Sequence, residues 1–128
     1  MPTFDGSTFF MRRTAKLIQG EVESSSIATP QSKAIHRAVV SDLKEALKPY
    51  AVDYKVSRLH FETSIFVRTK TGRIWNIFTG DYRFFKDITM RTAKSFEDYT
   101  GGSNISLGLI NENTAGKIRE VVSQGENV

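Results

Sequence analysis

The sequence predicts an α+β domain in which a three-stranded antiparallel sheet carries helices on one face, in the order α-α-β-β-β-α. After Thr29 the apolar residues recur with the period of a helix, and from about Val56 apolar and polar residues alternate as in a strand. Turns that contain glycine separate the extended segments. Short turns between consecutive strands favour antiparallel pairing, with the charged side chains on the face away from the helices. We expect residues 1–128 to form a single domain. The sequence leaves open whether a peripheral helix and loop in residues 1–28 dock on its core.

Three segments have the pattern of helices. In residues 7–19 apolar side chains recur one and two turns apart, and Gly20 suits the end of this first helix. The second helix has Thr29 as its cap and Pro30 in its first turn, and it ends before Pro49. The apolar stripe of the second helix consists of Ile35, Ala38, Val39, Leu43, Ala46 and Leu47, and that of a last helix over residues 111–124 consists of Ala115, Ile118, Val121 and Val122.

The strands are predicted by alternation and by one turn. One strand extends from Val56 to Arg68, and residues 70–72 are typical of a three-residue hairpin loop in which Gly72 is left-handed. This loop places Val67 opposite Trp75 and Ile65 opposite Ile77 on the core face. A third strand follows over residues 87–93, and residues 98–104 are expected to be a loop. The predicted core contains Ile35, Val39, Leu43, Phe61, Ile65, Val67, Trp75 and Ile77.

Composition restricts the classes of protein to which the chain can belong. The chain has no cysteine, which excludes disulfides, thiolate metal sites and thiol nucleophiles and fits a reducing compartment. The N-terminal residues lack the pattern of a signal peptide, and no apolar run is long enough to span a membrane. We therefore expect a cytoplasmic protein with no membrane partner and no cofactor or metal ion. The sequence does not give the oligomeric state.

The positive charge is concentrated in the middle of the chain. The formal net charge is +4, but residues 54–94 contain nine Lys and Arg against three Asp and Glu, whereas residues 95–128 have a net charge of −3. Such a distribution favours an anionic partner, either nucleic acid or an acidic protein surface.

The candidate binding site lies within this basic segment, where cations alternate with aromatic residues. Cations that neutralise phosphates beside aromatic rings that stack on bases are typical of nucleic-acid binding. Tyr82 adjoins a turn and is expected to be exposed, whereas Trp75 is expected to be core. The alternative is that the aromatic residues belong to the core and the cations to its solvated rim. The candidate site residues are Arg68, Lys70, Arg73, Tyr82, Arg83, Lys86, Arg91 and Lys94.

A catalytic alternative rests on the first predicted strand, where His60, Glu62 and Ser64 alternate on one face, with Arg58 and Arg68 at its ends. A metal-free ribonuclease needs a base, an acid and a cation for the charged transition state. The same alternation is found on the solvated side of any half-buried strand, and we expect no catalytic residue here. The other histidine, His36, is expected at the surface or flank of the second helix.

Two resemblances bear on function. Without its first helix, the predicted order of elements resembles the double-stranded RNA-binding domain, although the last helix has only Lys117 where that family has a cluster of lysines. The segment Met90-Arg91-Thr92-Ala93-Lys94-Ser95-Phe96-Glu97-Asp98-Tyr99-Thr100-Gly101-Gly102 is similar to stretches in small bacteriophage-encoded accessory proteins of unassigned function. That resemblance implies a protein that acts during infection by binding a host or phage component.

The sequence therefore favours a non-enzymatic, phage-like accessory protein that engages nucleic acid or an acidic host protein through a basic sheet region. One alternative is an inhibitor that binds a host defence protein directly. The other is the metal-free ribonuclease.

Overall fold

The computed structural model describes residues 14–18, 22, 29–59, 61–100 and 102–126. It is an α+β fold whose strands form a five-stranded sheet in the order β1-β2-β3-β4-β5, with every neighbouring pair antiparallel. The prediction of three strands is therefore wrong. The elements are α1, which includes residues 14–18, then α2 (Pro30–Leu47), β1 (Ala51–Leu59), β2 (Glu62–Thr69), β3 (Ile74–Thr79), β4 (Asp87–Ala93), β5 (Ile105–Leu109) and α3 (Thr114–Glu126).

The two additional strands have weak signals in the sequence. The predicted strand from Val56 to Arg68 is in fact the end of β1 and most of β2, which pair antiparallel around a tight turn at Phe61. Such a short turn does not interrupt the alternation, so the two strands look like one. The other missed strand, β5, has five residues, of which only Leu107 is buried, and Gly108 has a φ of 77°. An edge strand of this kind shows no clear apolar period.

The predicted hairpin between β2 and β3 is confirmed in its register. Val67 lies opposite Trp75, and Ile65 lies opposite Ile77. The amide of Thr69 donates a hydrogen bond of 2.9 Å to the carbonyl of Arg73, and Gly72 has a φ of 91°. Glycine suits this position because it adopts positive φ without a steric penalty.

The second helix is also confirmed, from its cap to its buried stripe. The hydroxyl of Thr29 accepts a hydrogen bond of 3.0 Å from the amide of Ser32, whose own hydroxyl accepts one of 2.9 Å from the amide of Thr29. This reciprocal capping box, together with Pro30 in the first turn, explains the start of the helix. By contrast, α3 begins at Thr114 and not at residue 111, because Asn111 forms a turn in which its side chain accepts from the amide of Asn113.

The core lies between the helices and one face of the sheet, which we call the helix face. All eight residues predicted to form the core are buried: Ile35, Val39, Leu43, Phe61, Ile65, Val67, Trp75 and Ile77. Ile18 and Val22 from the N-terminal segment belong to the same cluster, and the Thr14 hydroxyl of α1 donates to the carboxylate of Asp42 on α2. These residues of the N-terminal segment therefore pack on the core.

The opposite face of the sheet, the open face, is partly covered. Residues 94–104, the β4–β5 loop, place Phe96 and Tyr99 against Phe66 of β2, which is fully buried. The ring centroids of Phe66 and Tyr99 are 5.2 Å apart in an edge-to-face arrangement. The charged side chains expected on this face therefore share it with a cluster of aromatic rings.

In the described part of the chain, no helix combines the length and the apolar character needed to cross a bilayer.

Candidate functional site

The basic residues predicted to form one binding site are divided between the two ends of the sheet. Lys70 and Arg73 belong to the β2–β3 hairpin, whereas Arg83 and Lys86 belong to the β3–β4 connection. The six residues of β3 separate these connections by about 20 Å. Arg68 and Lys94 lie near the hairpin end, because β2 and β4 both run toward it. The segment therefore does not form a single basic surface.

The hairpin end has cations whose charge is partly balanced by acidic neighbours. The Arg68 guanidinium donates a hydrogen bond of 2.7 Å to Asp53 and lies 5.3 Å from the ring centroid of Phe96. The carboxylate of Glu126 accepts from the hydroxyls of Thr69 and Thr71. Desolvation raises the pKa of Glu126, but the hydrogen bonds from Thr71 and Thr69, with the charge of Arg73, lower it overall. Lys70 and Lys94 are exposed at this end.

Arg91 is not a surface residue. It is 3 % exposed, and its guanidinium donates to the carbonyls of Thr92, Asp98 and Thr100 and lies 3.8 Å from the Asp98 carboxylate. These contacts attach the β4–β5 loop to the open face of β4. Arg91, which the sequence predicted to contact a binding partner, is therefore placed inside the fold, and its donors are used there.

The carboxylate of Asp98 should make the attachment of this loop dependent on pH. Hydrogen bonds from the amides of Lys94 and Thr100, with the charges of Arg91 and Lys94, lower the pKa of Asp98. A lowered pKa in the folded state stabilises the loop at high pH, and this stabilisation is lost as the pH falls below about 5 and through the folded pKa. We expect the amides of residues 94–100 to exchange with solvent faster as the pH falls, after correction for intrinsic exchange. In Asp98→Asn this pH dependence should be much weaker, and an equal dependence in the variant would contradict the assignment.

Tyr82 is also buried, although it lies in a turn. It is fully inaccessible, and its hydroxyl contacts the hydroxyl of Thr63 and lies 3.1 Å from Nδ1 of His36. The Thr63 hydroxyl is itself 2.5 Å from the same His36 nitrogen. The expectation that Tyr82 is exposed is therefore wrong, and His36, expected at the surface or flank of the second helix, is buried. The buried phenol and the buried imidazole satisfy each other directly and through Thr63.

Tyr82 anchors a turn that exposes two aromatic rings. Phe84 is 72 % exposed and Phe85 is 59 % exposed. The amides of both residues donate to the carbonyl of Asp81, at 3.0 and 2.7 Å. We call residues 81–86 the Phe84–Phe85 turn.

Arg83 is held within this turn by its acidic neighbour and by two rings. Its Nε and Nη2 donate to the two oxygens of Asp81 at 3.0 and 2.6 Å, and its amide donates to Asp81 Oδ1 at 2.9 Å. The guanidinium lies 4.2 Å from the centroid of Phe61 and 5.3 Å from that of Phe84. The hydrogen bonds between the two side chains lower the pKa of Asp81 and raise that of Arg83, so the pair stays ionised.

Leu109 extends the exposed apolar surface beside the turn. It is 66 % exposed and pairs with Asp87, which follows the turn directly. The amide of Ile110 donates to the carbonyl of Lys86 at 2.8 Å and holds the end of β5 against the turn. Sequence reasoning missed Leu109 because it missed β5. The rest of this surface could have been predicted from the sequence, because two adjacent phenylalanines close to a Gly-Asp turn indicate exposed aromatic rings.

The residues of the catalytic alternative are only partly brought together. Glu62 and Ser64 border a cleft on the open face, to which Arg91 also contributes. His60 lies outside the described residues, and His36 belongs to the opposite face of the sheet through its contact with Thr63.

Comparison of the chain with protein-family models, curated proteins and solved structures finds no match. The class of the protein is thus defined by its own architecture, a five-stranded antiparallel meander with helices on one face and an exposed aromatic turn at one end.

Proposed function

We propose that the protein acts as a binding protein, without catalysis, and that the Phe84–Phe85 turn is its contact with a protein partner. The observation that carries this proposal is the exposure of Phe84 and Phe85 in a turn whose backbone is fixed. Adjacent exposed aromatic residues are uncommon on a solvated surface, and aromatic and arginine side chains are enriched in protein interfaces.

The turn is already organised for binding. Its backbone is fixed by hydrogen bonds to Asp81, and Tyr82 anchors it to the core. A surface that is ordered before binding loses little conformational entropy in the complex, which favours affinity. Phe84 and Phe85 would therefore act as anchors that enter an apolar groove of the partner.

The charges of the turn indicate the chemistry around that groove. Arg83 and Lys86 flank the two rings, and Arg83 is balanced by Asp81. Acidic groups of the partner would contact these cations at the rim, while the apolar contact supplies most of the affinity. The resemblance of residues 90–102 implies an accessory protein that binds a host or phage component, and inhibition of a host defence protein is one role that such a surface would serve.

Nucleic-acid binding is a second candidate, favoured by the hairpin end of the sheet. Lys70 and Arg73 of the β2–β3 hairpin and Lys94 of the β4–β5 loop are exposed there, and Tyr99, in the same loop as Lys94, is 55 % exposed. Lysine and arginine side chains would contact phosphates, and the aromatic ring would stack on a base. The balancing acids at this end make it the weaker candidate.

Pull-down with wild type and with the double variant Phe84→Ser/Phe85→Ser tests the proposal. The protein captured by wild type is purified, and its affinity for both forms is measured by calorimetry at two salt concentrations. Loss of two buried aromatic anchors should weaken binding by about 30-fold or more. The affinity of wild type should depend only weakly on salt, because the main contact is apolar.

Val52→Ser is the matched control, because Val52 is 58 % exposed on the opposite edge of the sheet. Equal affinity of the double variant and wild type would overturn the proposal. Binding of a single-stranded oligonucleotide that is lost in Lys70→Glu/Arg73→Glu, but retained when the exposed helix residues Lys33 and Arg37 are changed to Glu, would establish the second candidate instead. Its affinity should then fall steeply with salt.

A further inference from the structure

The open face of the sheet contains a cleft that the proposed partner contact does not use. Its volume is about 600 Å³, within the range of sites that hold small molecules. The floor comes from β2, β3 and β4, and one wall comes from Tyr99 and Thr100 of the β4–β5 loop. The contacts of Arg91 with this loop keep the wall in place.

The floor of the cleft has fixed polar groups. Asn76 is 3 % exposed, and its Nδ2 donates to the Ser64 hydroxyl at 2.8 Å and to the carbonyl of Ile65 at 3.2 Å. Because the Ser64 oxygen accepts from Asn76, its own hydrogen and one lone pair remain for a ligand. A hydroxyl that is oriented by a buried amide loses little entropy when a ligand binds.

Glu62 provides the charge that a ligand would meet. It borders the cleft two residues before Ser64 on the same face of β2. Within the described part of the chain its carboxylate makes no hydrogen bond and no ion pair within 4 Å, although its charge also acts on Arg83 and contributes to raising the pKa of that side chain after the hydrogen bond from Arg83 to Asp81. The charge of Arg91, in contrast, is balanced by Asp98, and its donors are used on backbone carbonyls of β4 and of the β4–β5 loop. The cleft therefore disfavours phosphates and other anions and favours a group that donates hydrogen bonds to a carboxylate.

Two aromatic side chains indicate the shape of the ligand. Phe78 of β3 and Tyr99 of the loop both border the cleft, and Tyr99 is held edge-on against Phe66. Aromatic rings beside a polar floor suit a flat ligand that is apolar on its faces and polar at its edge.

We propose that this cleft binds a planar small molecule that presents two adjacent N–H groups to the Glu62 carboxylate, as a guanine base or a guanidinium group does. A carboxylate accepts two parallel hydrogen bonds from such a group. The hydroxyl of Ser64 then contacts another polar atom of the ligand, and Phe78 and Tyr99 contact its faces.

Titration with guanosine and with agmatine tests this proposal and distinguishes the two sources of the N–H pair. Binding is followed by calorimetry and by NMR shifts of the Asn76 side-chain amide. At least one probe should bind with a dissociation constant below about 1 mM. Agmatine is a cation, so its affinity should fall with salt, whereas that of neutral guanosine should change little. Inosine, which lacks the second N–H group, should bind more weakly than guanosine.

Glu62→Gln replaces one acceptor oxygen by a donor and should weaken binding about 10- to 100-fold. Glu120→Gln, at an exposed position on α3, removes the same charge and should have no effect. The NMR spectrum of Glu62→Gln verifies that the variant is folded. Absence of binding by both guanosine and agmatine, or equal affinity of Glu62→Gln and wild type, would overturn the proposal. The residues that line the cleft include none of the Phe84–Phe85 turn, so binding of the two probes and binding of the protein partner are measured at separate places and the two proposals fail independently.

Discussion

Replacement of Arg91 by methionine is expected to lower the free energy of unfolding by about 3 kcal/mol. The guanidinium is buried, and it donates to three backbone carbonyls and pairs with Asp98. Methionine fills much of the same space but leaves these acceptors without their donors, and unpaired buried acceptors are costly. Urea denaturation followed by circular dichroism measures the change.

Lys94→Met provides the control for Arg91→Met. Lys94 follows β4 directly and is exposed, so its replacement removes the same charge without removing buried hydrogen bonds. We expect it to change the free energy of unfolding by less than about 0.5 kcal/mol. Equal and small effects in the two variants would show that Arg91 does not hold the β4–β5 loop. Loss of partner binding in Arg91→Met is not informative unless its stability is measured as well.

Replacement of Ile65 or Leu43 by alanine is expected to lower the free energy of unfolding by about 2–5 kcal/mol. Both side chains are essentially inaccessible, Ile65 in β2 and Leu43 in α2, so each substitution leaves a cavity between the sheet and the helices. Thermal and chemical denaturation give the size of the loss.

Val52→Ala is the comparison for these core variants, since it shortens an exposed side chain in β1. Its effect should be within about 0.5 kcal/mol. Losses below about 1 kcal/mol at both Ile65 and Leu43 would mean that the helix face of the sheet is assigned incorrectly.

The parts of the fold that could be predicted are those governed by local sequence. The start of α2 follows from Thr29 and Pro30, and the β2–β3 register follows from Gly72 and the alternation on both sides of it. Neither β1 nor β5 has such a signal. Their formation depends on pairing with a neighbour, which a single segment of sequence does not reveal.

The candidate site was harder to predict because charge and aromaticity do not indicate burial. Arg91 and Tyr82 have the residue types of a surface site, yet backbone carbonyls and a buried hydroxyl satisfy their polar atoms. Phe84 and Phe85 have the residue types of a core and are exposed. These differences depend on which carbonyls and hydroxyls the fold brings to each side chain, and that is a tertiary property.

The order of the strands affects how the chain folds. Each strand pairs with the next one in sequence, so the sheet can grow by adding hairpins whose closure costs little chain entropy. The contact between the helices is different, because Arg119 of α3 donates to the carbonyl of Ala46 at the end of α2 across 73 residues. Docking of α3 on α2 closes a loop of 73 residues, so we expect it to follow the formation of much of the sheet.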